Sequence, residues 1–365
     1  MTAVTGLFEP LALGCGAKLK NRFMLAPLTN LQSHADGRLS DEEFRWLTMR
    51  ARGGFGLTMT CASHVQAVGQ GFAGQLGVFG DQHLEGLARL AAAVKAEGSV
   101  AMMQLHHAGM RSPAALIGTT PVCPSDDAET GARALHAAEV EQLIADFVAA
   151  AMRAERAGFD GVEIHGAHGY VVSQFLSPEI NRRTDRFGGS LANRARLLFE
   201  IVAGVRSRCR PGFIVGVRLS PERFGLRLDE IREVARGLMS EGAIDLLDLS
   251  LWDVRKEPED PAFKGRSLLS YFTDLERGRV RIGIAGKVMG GADARYCLDS
   301  GADLAIIGRG AILHHDFPLR VQADPDFRAV PLPVSVEHLQ TEGLGPAFVG
   351  YMKTWKGFVQ EAAAT

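Results

Sequence analysis

The sequence is short of the features that mark several protein classes. Its 365 residues hold five cysteines, Cys15, Cys61, Cys123, Cys209 and Cys297, an odd count with no CxxC pair. That pattern suits neither a disulfide framework nor a zinc or iron–sulfur site, and it fits a reduced, cytoplasmic protein. No apolar run approaches the ~18 residues of a membrane span. Met1 to Pro10 lack the basic start and apolar stretch of a secretory signal. Neither charge dominates: 40 basic and 42 acidic residues leave a net charge of -2. A nucleic-acid partner, which wants a basic face, is therefore not expected.

What is present is 46% hydrophobic residues, 42 glycines and a repeating alternation. Eight short apolar runs read as buried parallel strands: Phe23–Thr29, Gly56–Ser63, Val100–His106, Gly161–His165, Ile214–Ser220, Leu246–Ser250, Arg281–Gly286 and Leu304–Gly308. Helical patterns lie between them at Asp41–Arg52, His83–Glu97, Ala137–Ala157, Leu191–Arg208, Leu228–Glu241 and Ala292–Ser300. Ser40 is placed to cap the first, and Gly98, Gly158, Gly242 and Gly301 to close four others. Trp252–Ser270 reads as a loop followed by a short helix. Length alone suggests two domains, but eight βα units without a break predict one (β/α)8 TIM barrel over residues 1–365. Its core spans roughly residues 22–315, behind an N-terminal lid, 1–21, and before a Pro-rich tail, 316–365. The tail is expected to end in a helix, Ala347–Gln360, packed on the outside or on a partner chain, where Tyr351 and Trp355 would reach a neighbour's site. An open doubly wound sheet is the alternative fold. The long segments 107–136 and 166–190 are expected to be functional loops.

A barrel carries its chemistry at the C-terminal ends of its strands. Those ends read Thr29, Ala62, Gln104, His165, Arg218, Ser250, Gly286 and Gly308–Arg309. Hydroxyl, amide, imidazole and guanidinium groups in a ring suit a flat heteroaromatic ligand. Gly286-Lys287 and Gly308-Arg309 close strands seven and eight, where barrels commonly hold phosphate. There glycine admits the backbone and the cations supply charge. The competing reading has Arg309 pairing with an acid at a helix start.

The densest stretch is Glu163-Ile-His165-Gly-Ala-His168-Gly-Tyr170. It reads as two N–H donors gripping one oxygen, with a phenol beside them to give a proton. The alternatives are a metal set recruiting His106 and His107, one histidine as a satisfied core residue, and Tyr170 as an ordinary loop aromatic.

The chain resembles the old yellow enzymes, flavin-dependent ene-reductases of the NADH:flavin oxidoreductase group, over residues 6–315. The strongest segment is EIHGAHGYVVSQFLSPEINRRTDRFGGSLANRAR, Glu163 to Arg196. NRFMLAPLT near the start, Gln104-Leu105 followed by His107-Ala108-Gly109, Gly216-Val-Arg218 and Asp303 to Arg309 add to it. The resemblance implies FMN over the barrel, with NADPH or NADH as electron donor and small activated alkenes as substrates. It implies that Ala26, Pro27, Leu28 and Thr29 line the flavin edge and that Ala62 touches the ring through its backbone. Gln104 would pair with the pyrimidine edge and Arg218 would sit by N1–O2. Gly286, Lys287, Gly308 and Arg309 would lie at the phosphate. His165 and His168 would bind the substrate's activating oxygen, and Tyr170 would protonate.

Departures from the family bear on the pocket. One branch has Cys at Thr29 and Tyr at Leu31, and the yeast-like branch has Trp at His106. Leu31 and His106 are thus expected to shape the substrate pocket. Arg111 is a candidate contact for the nicotinamide donor, the alternative being a contact with solvent alone. Family members that reduce dienoyl-CoA or oxidise amines carry a later iron–sulfur cysteine cluster, and no cysteine follows Cys297. Gly69-Gln-Gly71-Phe-Ala-Gly74 fits GxGxxG, but turn-like sequence follows it and no helix is expected before about Asp81, so it reads as a plain loop. Two other functions stay on the table: a metal-dependent barrel hydrolase using His106, His107, His165 and His168, and a non-catalytic flavin-binding protein. A homo-oligomer is compatible with the tail.

Overall fold

The computed structural model describes residues 5–361. The ends of the lid and tail segments, residues 1–4 and 362–365, lie outside them. Eight parallel strands close into the expected (β/α)8 barrel. They are β1 (Phe23–Leu25), β2 (Leu57–His64), β3 (Val100–His106), β4 (Gly161–Gly166), β5 (Ile214–Leu219), β6 (Leu246–Ser250), β7 (Arg281–Ala285) and β8 (Leu304–Ile307). Each pairs with its sequence neighbour, and β8 pairs with β1 to complete the ring. The open sheet is thereby excluded.

The helices α1 (Asp41–Arg52), α2 (Leu84–Ala96), α3 (Ala137–Arg156), α4 (Leu191–Arg208), α5 (Leu228–Ser240), α6 (Ser270–Thr273) and α7 (Gly291–Asp299) follow β1 to β7 in order. Local chemistry sets their ends. Ser40 accepts the Glu43 N–H at 3.1 Å and starts α1, and Ser190 does the same for Asn193 in α4. Gly98, Gly158, Gly242 and Gly301 end α2, α3, α5 and α7 with left-handed φ of 66°, 88°, 62° and 93°.

Side chains alternate across each strand. One set packs between barrel and helices as a single large apolar layer. The other fills the barrel: Met24, Leu57, Met59, Met102, Ile214, Leu246, Leu304 and Ile306. A small hairpin, Leu11–Ala12 with Lys18–Leu19, closes the floor by burying Leu11, Leu13 and Leu19 against that inner set. Polar residues enter the interior only higher up, toward the strand ends.

After β8 come α8 (Arg309–Leu313), α9 (Phe317–Ala323), α10 (Val336–Thr341) and α11 (Pro346–Lys353). The last helix is shorter than the expected Ala347–Gln360. It ends at Lys353, capped by Thr354, and the chain then runs back so that Val359 bridges Val334. The buried Arg50 of α1 donates Nε and Nη2 to the Ala311 carbonyl at 3.2 and 3.0 Å, which fixes α8 to the barrel. No described helix is long and apolar enough to cross a membrane.

Candidate active site

An open cavity of about 1000 Å³ occupies the barrel mouth. It brings together Ala26, Pro27, Leu28, Thr29, Ala62, Gln104, Arg218, Gly286, Lys287, Gly308 and Arg309 with His165, His168 and Tyr170. Leu31 and His106 are not among its lining residues. Leu31 faces a separate surface hollow beside Tyr351. His106 is fully buried, its ring 4.3 Å from that of Tyr170, so it supports the tyrosine from below.

The loops around this mouth are held under strain. All six non-glycine residues with left-handed φ among the described residues lie in loops that follow the barrel strands, Leu31, His168, Arg223, Phe224, Trp252 and Lys287, and three of them, His168, Trp252 and Lys287, line the cavity. Such positions cost on the order of 1–3 kcal/mol each and gather where a site needs them.

The imidazole pair sits at the end of β4. His165 Nδ1 accepts the Ala167 N–H at 3.2 Å, so its proton is on Nε2. That nitrogen lies 3.3 Å from His168 Nδ1, and His168 Nε2 lies 2.8 Å from Ser250 Oγ. Burial holds both rings neutral, His165 well below the usual imidazole range and His168 at about 3. Tyr170 lies 5.0 Å from His165, ring to ring, with the Arg111 guanidinium 4.7 Å over the tyrosine ring. Burial raises its phenol, so it keeps the proton it would give. Arg111 also donates to the His168 carbonyl at 2.5 Å.

Below the pair, Gln104 donates Nε2–H to Glu163 Oε1 at 2.8 Å, which turns its amide carbonyl free for a ligand. Arg218 has Nε 3.2 Å from Asp248 Oδ2 and Nη2 3.4 Å from Ser250 Oγ. Burial first, and the Asp248 charge second, push the Glu163 carboxyl well above the usual range. β2 shifts register between Met59 and Ala62, which turns Ala62 to the mouth, where its carbonyl accepts from Gln75 Nε2 at 2.8 Å.

At the far side, a Cβ on Gly308 would meet nothing nearer than Leu28 Cδ2 at 3.7 Å, so this turn leaves the cavity clear. Lys287 pairs with Asp253 at 3.1 Å. Arg309 pairs with no acid among the described residues. It lies 5.4 Å over the Trp355 ring, which removes the helix-start ion pair as its explanation. A planar polar ring above Gln104 and Arg218, with an anionic tail toward Arg309, fits these donors.

Several lining residues carried no role in the sequence reading, Trp252, Ala285, Ile312 and Met352 among them, and Ser250 stood in the strand-end ring without a stated role. Tyr351 and Trp355 were expected to reach a neighbour's site, yet they wall the mouth of their own chain. The four histidines of the metal alternative do not converge. His107 faces away from the mouth, bonded to Gln66 Oε1 and the Gly109 N–H. The described set that does converge, His314, His338 and Glu342, is engaged structurally. His314 Nε2 accepts the Val330 N–H, His338 Nε2 donates to the Leu313 carbonyl, and Glu342 accepts from His315.

The segment Gln174 to Arg194 is scaffold. Gln174 donates to the Ala108 and Gly169 carbonyls, Asn181 to those of Phe175 and Phe187, and Arg194 to that of Leu176. These bonds clamp the loop that presents His168 and Tyr170. Gly69 and Gly71 open no dinucleotide site. They let the loop approach His107 and Ala108 closely.

The model of the NADH:flavin oxidoreductase / NADH oxidase family matches residues 6–325. The probable NADH-dependent flavin oxidoreductase YqiG of Bacillus subtilis (strain 168) is 34% identical over 327 residues, 87% of each chain. The NADH:fumarate oxidoreductase of Klebsiella pneumoniae (strain 342) is 34% identical over 360 residues, and this chain spans 38% of its length. The old yellow enzyme homologue from Zymomonas mobilis superposes with a TM-score of 0.78 at 28% identity, over 92% of this chain and 96% of that one. Barrel, mouth and matches together define an NAD(P)H-dependent flavin oxidoreductase. The chain belongs to the NADH:flavin oxidoreductase / NADH oxidase family.

Proposed function

We propose that the protein is an FMN-dependent ene-reductase. The observation that carries this reading is the neutral imidazole pair beside a protonated phenol, at the wall of a cavity rimmed by Gln104, Arg218 and Arg309. FMN, once bound, supplies the redox chemistry, taking hydride from NADH or NADPH and passing it to the β-carbon of an enone, nitroalkene or maleimide.

The protein's own residues do the rest. Gln104 and Arg218 hold the pyrimidine side of the ring, with Ala26 to Thr29 and Ala62 along its edge. A fixed guanidinium there favours the reduced, negatively charged ring. Gly286, Lys287, Gly308 and Arg309 hold the phosphate. His165 and His168 bind the oxygen on which charge builds, and Tyr170 delivers a proton to the α-carbon from the opposite face. The Klebsiella relative is named for fumarate, an electron-poor alkene, which agrees with this class.

Loading the protein with FMN tests the reading. The expected result is one flavin per chain, bleached without oxygen by NADH or NADPH. A chain that takes up no flavin, or a stoichiometric metal in its place, overturns it.

A further inference from the structure

We propose that Ser250 sets the tautomer of His168 and thereby arms the imidazole pair. This rests on the reading of His165 and His168 as the grip on the substrate oxygen.

The hydrogen bonds expose a conflict that the pair alone does not resolve. The Ala167 N–H fixes the His165 proton on Nε2, facing His168 Nδ1 at 3.3 Å. His168 Nδ1 is then a lone pair, and its proton lies on Nε2, toward Ser250 Oγ at 2.8 Å. An oxygen entering between the two rings meets one donor and one lone pair. A neutral imidazole has a single N–H, so two donors require the His168 proton on Nδ1. Nε2 then becomes an acceptor in a half-buried place and needs a donor of its own.

Ser250 Oγ is the group within reach of Nε2. A hydroxyl is both donor and acceptor, and rotation of its O–H reverses the bond without moving a heavy atom. Arg218 Nη2, 3.4 Å from Ser250 Oγ, fills a lone pair of that oxygen and leaves its O–H free for Nε2. The armed chain then runs in one direction, from Arg218 to Ser250 to His168 to the substrate oxygen, with a permanent cation at its head. His168 loses the proton on Nε2 and gains one on Nδ1 by exchange with water. The ring stays neutral throughout and no other reactant is needed. The left-handed backbone at His168, φ 60°, and its N–H bond to Ser220 Oγ at 3.1 Å hold the ring in this register.

The test uses FMN-loaded protein carrying ¹⁵N-labelled histidine, with cyclohexanone as an acceptor-only probe that cannot be reduced as an alkene. In the wild type, the His168 signals report protonated Nε2 without the ketone and protonated Nδ1 with it. Ser250→Ala binds the ketone about tenfold more weakly, the cost of one unmet hydrogen bond, and shows no such switch. Ser250→Thr restores both. The proposal is overturned if His168 keeps one tautomer in the free and ketone-bound wild type, or if Ser250→Ala switches as the wild type does. The wild-type comparison decides even if Ser250→Ala fails to fold. A wild type that loads FMN but leaves the ketone unbound overturns the pair reading itself, a different result from an unswitched His168.

Discussion

A half-buried imidazole with its pKa held near 3 is a hydrogen-bond donor, not an acid, at neutral pH, and that defines the work left to its neighbours. The pair at the end of β4 can stabilise charge on an oxygen but cannot give up a proton cheaply. Tyr170 is the group beside them whose O–H, a stronger acid than a neutral imidazole N–H, can pass its proton on. Replacing His165 or His168 with Ala should lower alkene turnover by about 10²–10³, the range for losing one such donor, while FMN stays bound. Flavin absorbance and steady-state rates on one preparation check both halves, and loss of flavin would mark the pair as structural. Tyr170→Phe should slow the alkene half-reaction by about 10²–10⁴ and leave flavin reduction by NAD(P)H nearly unchanged, which stopped-flow separates.

At the scale of elements, the scaffold does more than the signature suggests. The stretch after β4 identifies the family, yet its Gln174, Asn181, Arg183 and Arg194 bond to backbone carbonyls and none of them lines the cavity. Gly188 shows how tight this scaffold is: a Cβ there would lie 2.3 Å from the Arg183 carbonyl. Gly188→Ala should cost about 1–3 kcal/mol of stability, the usual price of overpacking, seen as a lower urea midpoint. Gly189 has open space around it but a φ of 81°, so Gly189→Ala should cost only about 1 kcal/mol. A larger loss in Gly189→Ala than in Gly188→Ala would contradict this account of the loop. The strands were legible in the sequence because both faces of a parallel strand are buried, leaving unbroken apolar runs. The tail was not, because nothing local in Pro346–Lys353 encodes its return to its own barrel mouth. Ser250 stood in the strand-end ring without a role, since a hydroxyl's partners are set by folding. His106 was taken for a pocket residue because its strand position says nothing of the Tyr170 ring that covers it.

Across the whole molecule, much of the histidine is locked away. His64, His83 and His314 are held at about 4 and His107 and His168 at about 3, in each case by burial first, and His106 and His165 lie well below the usual range. Each is neutral when folded and charged in the unfolded chain below about pH 6.5. The unfolded state therefore binds more protons there, and stability falls as pH drops from about 6.5 toward 4, by up to about 1.4 kcal/mol per pH unit per histidine. Urea midpoints across that range should decline steeply, and a flat profile would mean these rings are solvated.

The central claim is that this barrel mouth delivers hydride to an alkene and a proton from Tyr170. The direct measurement is a single turnover without oxygen. FMN-loaded protein is bleached with one equivalent of NAD(P)H and then mixed with 2-cyclohexenone. The account predicts that the flavin colour returns and that one cyclohexanone forms per flavin, with the return much slower in Tyr170→Phe. It is contradicted if the bleached flavin stays reduced with every enone, nitroalkene and maleimide tried.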